Sequence, residues 1–338
     1  MFKKSFFVLL ILSLSSPIVQ AAQSLTSQKN VQQFITMMEK KHGFKKQDLV
    51  ELFKEVQIQP AIIQSMDAPY EKKDWDTYRE IFLTQQRLQA GLEFWQANQK
   101  SLEQAEQTYH VPASIIVAIL GVETLYGEKQ GNYRVMDALS TLAFNYPKRS
   151  PYFTRELTEF LLLCREHHTN PMQYIGSYAG AFGKPQFMPS SYRSYAVDFK
   201  KNSNIDLVHD NQAVVASIAN YFHRHGWIMN QGVVQPAKIT GQGITHFNTQ
   251  LKQAEYNTKQ LVKSGIQPMT AATNQPPKAG VIELSTKSGP EYWLAYHNFY
   301  VITRYNSSPQ YALVVYLLAQ QLQKERLAAL SHHAFAYS

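Results

Sequence analysis

The chain has 338 residues, of which 44% are hydrophobic and 17% charged, so it can bury a sizeable core and is not a disordered chain. Its formal net charge of +8 favours anionic partners such as acidic lipid or carboxylate-bearing polymers. No compact Lys/Arg cluster or nucleic-acid motif accompanies that charge, so nucleic acid is not an expected partner.

The first twenty-one residues read as a cleavable export signal. Lys3 and Lys4 lead into Phe6–Leu14, an apolar-plus-serine run too short to span a bilayer. Pro17 follows, and Val19-Gln20-Ala21 fits small-x-Ala cleavage after Ala21. No cysteine lies near the cut, so no lipid anchor is expected. Cys164 is the single cysteine, which rules out an internal disulfide. No later segment reaches the roughly 18 apolar residues of a membrane span.

Residues 22–110 read as an N-terminal helical part. Ser27 is the expected cap of a helix that runs to Lys41, stops at Gly43 and turns Phe34, Met37 and Met38 inward. A second helix covers Lys46–Val56, and Gln59-Pro60 and Ala68-Pro69 punctuate the link that follows. Trp75–Tyr109 keeps one helical period through Tyr78, Phe82, Leu88, Leu92, Trp95 and Leu102. Trp75 and Trp95 are read as buried anchors and not as sugar platforms, because large aromatics are mostly core.

Pro112 opens the most informative helix, Ile115–Gly127. Ile116, Ile119 and Leu120 precede Glu123 by seven, four and three residues, which places all four on one helix face. Desolvation at the end of such a stripe disfavours an ionised carboxylate, and a protonated carboxyl is what general-acid chemistry needs. From this helix alone two readings stay open. Glu123 is a general acid, or it is a helix-end glutamate that reaches water or pairs with an Arg or Lys. Neither Glu128 nor Asp137, the next carboxylates, has a spacing that marks it as a second acid.

Gly176–Tyr192 is dense in glycine and small residues and then presents Gln186, Phe187 and Pro189. Such a loop lets backbone approach a ligand closely, and a glutamine offers it both a donor and an acceptor. Asp198–Asp210 places Asp198, Asn202 and Asn204 at positions 1, 5 and 7 of a calcium loop. Lys200 at position 3, Ser203 at 6 and His209 at 12 break the pattern, so any calcium site here is expected to be weak or degenerate. From residue 232 to 290 turn residues rise between short apolar runs, which predicts a small inserted β subdomain. Residues 291–338 return to the helical core and end in an amphipathic helix from Gln310.

Three separated blocks carry a resemblance. They are Gly121-Val122-Glu123-Thr124 with Tyr126-Gly127, the run Gly176–Tyr192, and Phe299-Tyr300-Val301-Ile302-Thr303-Arg304-Tyr305-Asn306. In this order they resemble the lytic murein transglycosylase B family over essentially the whole chain after the signal. The resemblance implies a mainly α fold, with a lysozyme-like core over residues 111–231. It implies action on the glycan strands of periplasmic peptidoglycan by a monomer, without a required cofactor, alongside proteins of cell-wall synthesis or remodelling. It makes Glu123 the sole acid and then base, cleaving the MurNAc-β-1,4-GlcNAc bond with a 1,6-anhydro product. Ser177, Gln186, Tyr221, Tyr305, Asn306 and Tyr311 would line the cleft. The family commonly has glycine where Pro185 stands, and proline fixes φ and removes an N–H there. A muramidase-type hydrolase and an inactive glycan-binding scaffold are the alternatives.

Overall fold

The computed structural model describes residues 25–67, 73–200, 204–270 and 276–336, so the export segment lies outside the described residues. The chain divides into a unit ending at Val56 and a larger unit from Gln57. The expected boundary near residue 110 therefore moves to Val56, because residues 57–110 fold with the core.

The first unit holds helices α1 (Lys29–His42) and α2 (Lys46–Lys54). Val31, Phe34, Ile35 and Met38 recur at helical spacing and are buried. The Phe34 ring meets Phe53 of α2 edge-on at 5.8 Å. Gly43 ends α1 at φ 67°, a left-handed position that suits glycine. Ser27 is not the cap; it belongs to a short 3-10 turn, and Gln28 takes the cap position, its carbonyl accepting from the Gln32 N–H at 3.0 Å.

The larger unit opens with α3 (Pro60–Asp67), α4 (Trp75–Phe82), α5 (Gln85–Ala97) and α6 (Gln99–Tyr109). The single period read over Trp75–Tyr109 is thus three helices. Thr84 caps α5 by accepting the Arg87 N–H, and Asn98 closes α5 while opening α6. Trp75 and Trp95 are buried, as expected of anchors. The chain continues through α7 (Ala113–Thr124), β1 (Tyr133–Arg134), α8 (Val135–Asn145), α9 (Ser150–Glu166), β2 (Ile175–Gly176), α10 (Pro189–Tyr195) and α11 (Asn211–Arg224). β1 and β2 pair antiparallel and frame the glycine-rich loop.

A five-stranded antiparallel sheet follows, formed by β3 (Val234–Ile239), β4 (Tyr256–Asn257), β5 (Ile266–Pro268), β6 (Lys278–Thr286) and β7 (Gly289–Ala295), with helix α12 (Thr258–Lys263) beside it. Its strand order is β4-β6-β7-β3-β5. Ala237, Leu261, Ile266, Val281 and Leu294 form its core. The β subdomain runs past the expected limit at residue 290, because Gly289-Pro290 starts the last strand and does not leave the sheet. Helices α13 (His297–Ile302) and α14 (Pro309–Ala336) complete the unit.

The centre of the larger unit is α7, which packs against α5, α6, α11 and α14. Its residues are buried on every side, and Glu123 is the one of the twelve that is not fully buried. The expected apolar stripe is therefore an entirely apolar helix, and the carboxylate marks its one opening. Asp137 is buried on α8, where it pairs with Arg134 at 2.7 Å and accepts the Gln57 N–H at 3.0 Å. That carboxylate holds structure together.

Candidate active site

Directly after Glu123 the backbone leaves the helix through a left-handed turn. Leu125, Tyr126 and Gly127 have φ of 49°, 61° and 103°. Two successive non-glycine residues there carry strain, which persists only where surroundings over-determine the conformation. The surroundings are visible. The Tyr126 hydroxyl donates to the Arg87 carbonyl at 3.0 Å, and its ring stacks on Phe94. Arg87 in turn donates from Nε to the Gly121 carbonyl at 2.8 Å and from Nη1 to the carbonyls of Ile81 and Phe82. Burial raises the Tyr126 phenol above its ordinary range, which keeps it a donor. Helices α4, α5 and α7 are thereby fixed around the turn that presents Glu123.

Tyr311, in the first turn of α14, donates its hydroxyl to Glu123 Oε1 at 2.5 Å. The Tyr311 side chain is only 3% exposed. Burial, and then the charge of Glu123, push its phenol well above the usual range, and Tyr305 is raised for the same two reasons. Both phenols stay protonated at neutral pH and act as fixed donors. Tyr305 lies parallel to Tyr311 at 6.5 Å and donates to the Pro185 carbonyl at 2.5 Å. Tyr221 meets Tyr305 edge-on at 4.9 Å and donates to the Arg304 carbonyl at 2.6 Å. With that hydroxyl engaged and the ring 6% exposed, Tyr221 positions the Arg304–Asn306 segment. Asn306 accepts the Ser308 N–H at 3.0 Å and shapes the start of α14.

The glycine-rich loop is fastened beside this cluster. Thr124, next to Glu123 and fully buried, donates to the Lys184 carbonyl at 2.9 Å. Gln186 has φ 50° and donates from Nε2 to the carbonyls of Gln130 and Gly183, which leaves its amide oxygen to accept from a ligand. Ser177 accepts the Ala181 N–H at 3.1 Å and closes its own turn, so its hydroxyl proton is the group it can offer. The N–H that Pro185 lacks is not needed in this turn, since Lys184 donates to Leu207 and Gln186 to Gly183. The structure thus joins Glu123, Tyr311, Tyr305 and Tyr221 in one row, with Gln186 beside it. Arg87 went unnoticed in the sequence, and Thr124 and Tyr126 stood there only as members of the first block, without a role. For Tyr126 a further signal was Gly91 and Gly121 inside helices, which mark the close approach of its ring.

The sequence profile of the family described as "Transglycosylase SLT domain" matches residues 26–320. The chain belongs to that family. It is 38% identical to membrane-bound lytic murein transglycosylase B of Escherichia coli K12, over 92% of this chain and 87% of that protein. Its fold matches the crystal structure of the soluble lytic transglycosylase SltB1 from Pseudomonas aeruginosa with a TM-score of 0.81 at 41% identity, covering 88% of this chain and 99% of that one. It matches E. coli lytic transglycosylase Slt35 in complex with calcium with a TM-score of 0.80 at 40% identity, covering 89% and 95%. The mainly helical, lysozyme-like architecture and the kinship read from the three blocks are borne out. Among the described residues no helix of this family member is long and apolar enough to cross a membrane.

That relative is in complex with calcium, and in this chain segment 198–210 holds the calcium-loop-like positions. Asn202 lies outside the described residues. Asp198 accepts the Lys200 N–H at 3.1 Å, and Asn204 bonds the His167 ring. Asp206 is engaged by the N–H groups of Val208 and His209, and Asp210 caps α11. Among the described residues no three His, Cys, Asp or Glu side chains gather as a metal site. The described donors of this segment do not fit a calcium loop.

Proposed function

We propose that this chain is a periplasmic lytic transglycosylase that cleaves the MurNAc-β-1,4-GlcNAc bond of peptidoglycan with Glu123 as acid and then base. The observation that carries the reading is one half-buried carboxylate, presented by a buried helix and held on one oxygen by a buried phenol. With Oε1 bonded to Tyr311, the proton to be transferred belongs on Oε2. Protonation of the glycosidic oxygen releases the leaving sugar as C1–O breaks. The muramyl C6 hydroxyl then bonds to C1 and returns its proton to Glu123, so no water is consumed. Two-carboxylate glycosidases need a second acidic group. Of the next carboxylates along the chain, Asp137 is paired with Arg134 and Glu128 is exposed.

Digestion of intact sacculi followed by mass spectrometry tests the product. An anhydro end, lighter by one water than a hydrolysed end, is expected. Reducing ends would instead make the chain a muramidase, and binding without turnover would make it a scaffold.

Tyr311→Phe removes the donor from Oε1. A hydrogen bond to a charged group contributes about 1.5–3 kcal/mol. The variant is expected to lose roughly tenfold to a hundredfold in kcat. The sign of the pH effect follows from the bond favouring the ionised carboxylate, so the limb belonging to Glu123 moves to higher pH in the variant. Rate profiles of the two proteins across pH check this, and coincident limbs would remove Tyr311 from the machinery.

A further inference from the structure

We propose that Lys184 is an internal cation clamp, whose ammonium fastens segment 204–211 to the loop carrying Gln186, in the role a bound metal ion would otherwise fill. Lys184 joins three stretches of chain. Its N–H donates to the Leu207 carbonyl at 2.8 Å, and its own carbonyl accepts from Thr124 at 2.9 Å. Its Nζ donates to Asn211 Oδ1 at 2.5 Å and reaches the His209 carbonyl at 3.4 Å. The stem between these ends lies along Gly127. A Cβ on that glycine would meet Lys184 Cε at 3.0 Å and Cδ at 3.1 Å, so a glycine there gives the stem its path.

The acceptors are a backbone carbonyl and an amide oxygen, the hard oxygen donors that an alkaline-earth cation takes. Burial disfavours the Lys184 charge, while the carboxylates of Asp206 and Asp210 favour it through space. An ammonium brings three donors and a charge that is part of the chain, so this fastening needs no ion from solution. The same residue explains how the segment stays attached although its calcium-loop positions are lost. Lys184 is a positioning residue. It acts through the Lys184–Gln186 turn that Thr124 and Tyr305 hold against the catalytic end of α7.

Hydrogen–deuterium exchange on the full chain tests the clamp without reference to activity. Wild-type protein is expected to exchange identically in millimolar calcium and in EDTA. Lys184→Met is expected to speed exchange at 204–211 and 183–188 together, and Lys184→Arg to restore part of the protection. Asn211→Leu should act on the same bond, so adding it to Lys184→Met should cost little more. As far as turnover is concerned the inference rests on the reading of Glu123 above. There kcat/KM should fall about tenfold in Lys184→Met, mainly through KM, because the displaced loop positions Gln186. Protection of wild-type segment 204–211 by calcium, or unchanged exchange there in both Lys184→Met and Asn211→Leu, overturns the clamp. Joint loss of protection in Lys184→Met, alongside a wild type that releases no glycan, would keep the clamp and remove the proposed function instead.

Discussion

Glu123→Gln is expected to lower release of soluble glycan fragments about 10²- to 10⁴-fold while leaving the fold unchanged, the range associated with losing a positioned acid and base. The substitution keeps the shape of the side chain, and its amide oxygen still accepts from Tyr311. What disappears is the proton on the other branch and the charge that would take one back. Binding to sacculi should therefore survive while turnover does not, which places the loss in kcat and separates chemistry from docking. The neighbouring structure predicts tolerance of the change, since Thr124, Tyr126 and Arg87 fix the turn through atoms that Glu123 does not supply. A variant with wild-type turnover would contradict the assignment, whatever its product.

Much of this site was legible because its helix is so apolar that one carboxylate stands out. The period misled in a specific way. Spacing placed Ile116, Ile119 and Leu120 on a single face with Glu123, yet α7 is buried on every side. A helix that is hydrophobic all round satisfies any stripe one draws on it, so the pattern locates the carboxylate but not the solvent-facing side. The three helices of residues 75–109 merged for a related reason, since Thr84 and Asn98 are polar cap residues that scarcely interrupt the apolar period. Gly289-Pro290 looked like the exit of the β part because the same turn residues mark hairpins and boundaries alike. The contact of Tyr311 with Glu123 spans 188 positions, and no local rule reports such a pairing. Only the resemblance named Tyr311, and the structure supplies the bond. The Ser27 cap shows the opposite limit, since a good cap residue one position too early is passed over when Gln28 supplies the carbonyl.

The second large effect is expected at a residue that carries no chemistry. A Cβ on Gly121 would stand 2.5 Å from the Tyr126 hydroxyl oxygen, 2.8 Å from its Cζ and 3.1 Å from Leu318 Cδ2. Alanine gains about 1 kcal/mol of helix propensity over glycine. Overpacking a core costs about 1–3 kcal/mol, and here the crowded ring is pinned by its bond to the Arg87 carbonyl. Gly121→Ala should therefore be a net destabilisation of up to about 2 kcal/mol in denaturant unfolding, toward the upper end because the ring is pinned. It should also lower kcat, because Tyr126 belongs to the strained turn that presents Glu123. Tyr126→Phe removes the nearest crowding atom together with the bond that pins the ring. In the Gly121→Ala background it should recover part of the lost stability, although alone it destabilises by removing the Tyr126 hydrogen bond to the Arg87 carbonyl. The interaction energy of that cycle is consequently stabilising. Simple additivity of the two changes would mean that the ring yields freely, and that the turn after Glu123 is not held by the packing of α5 against α7.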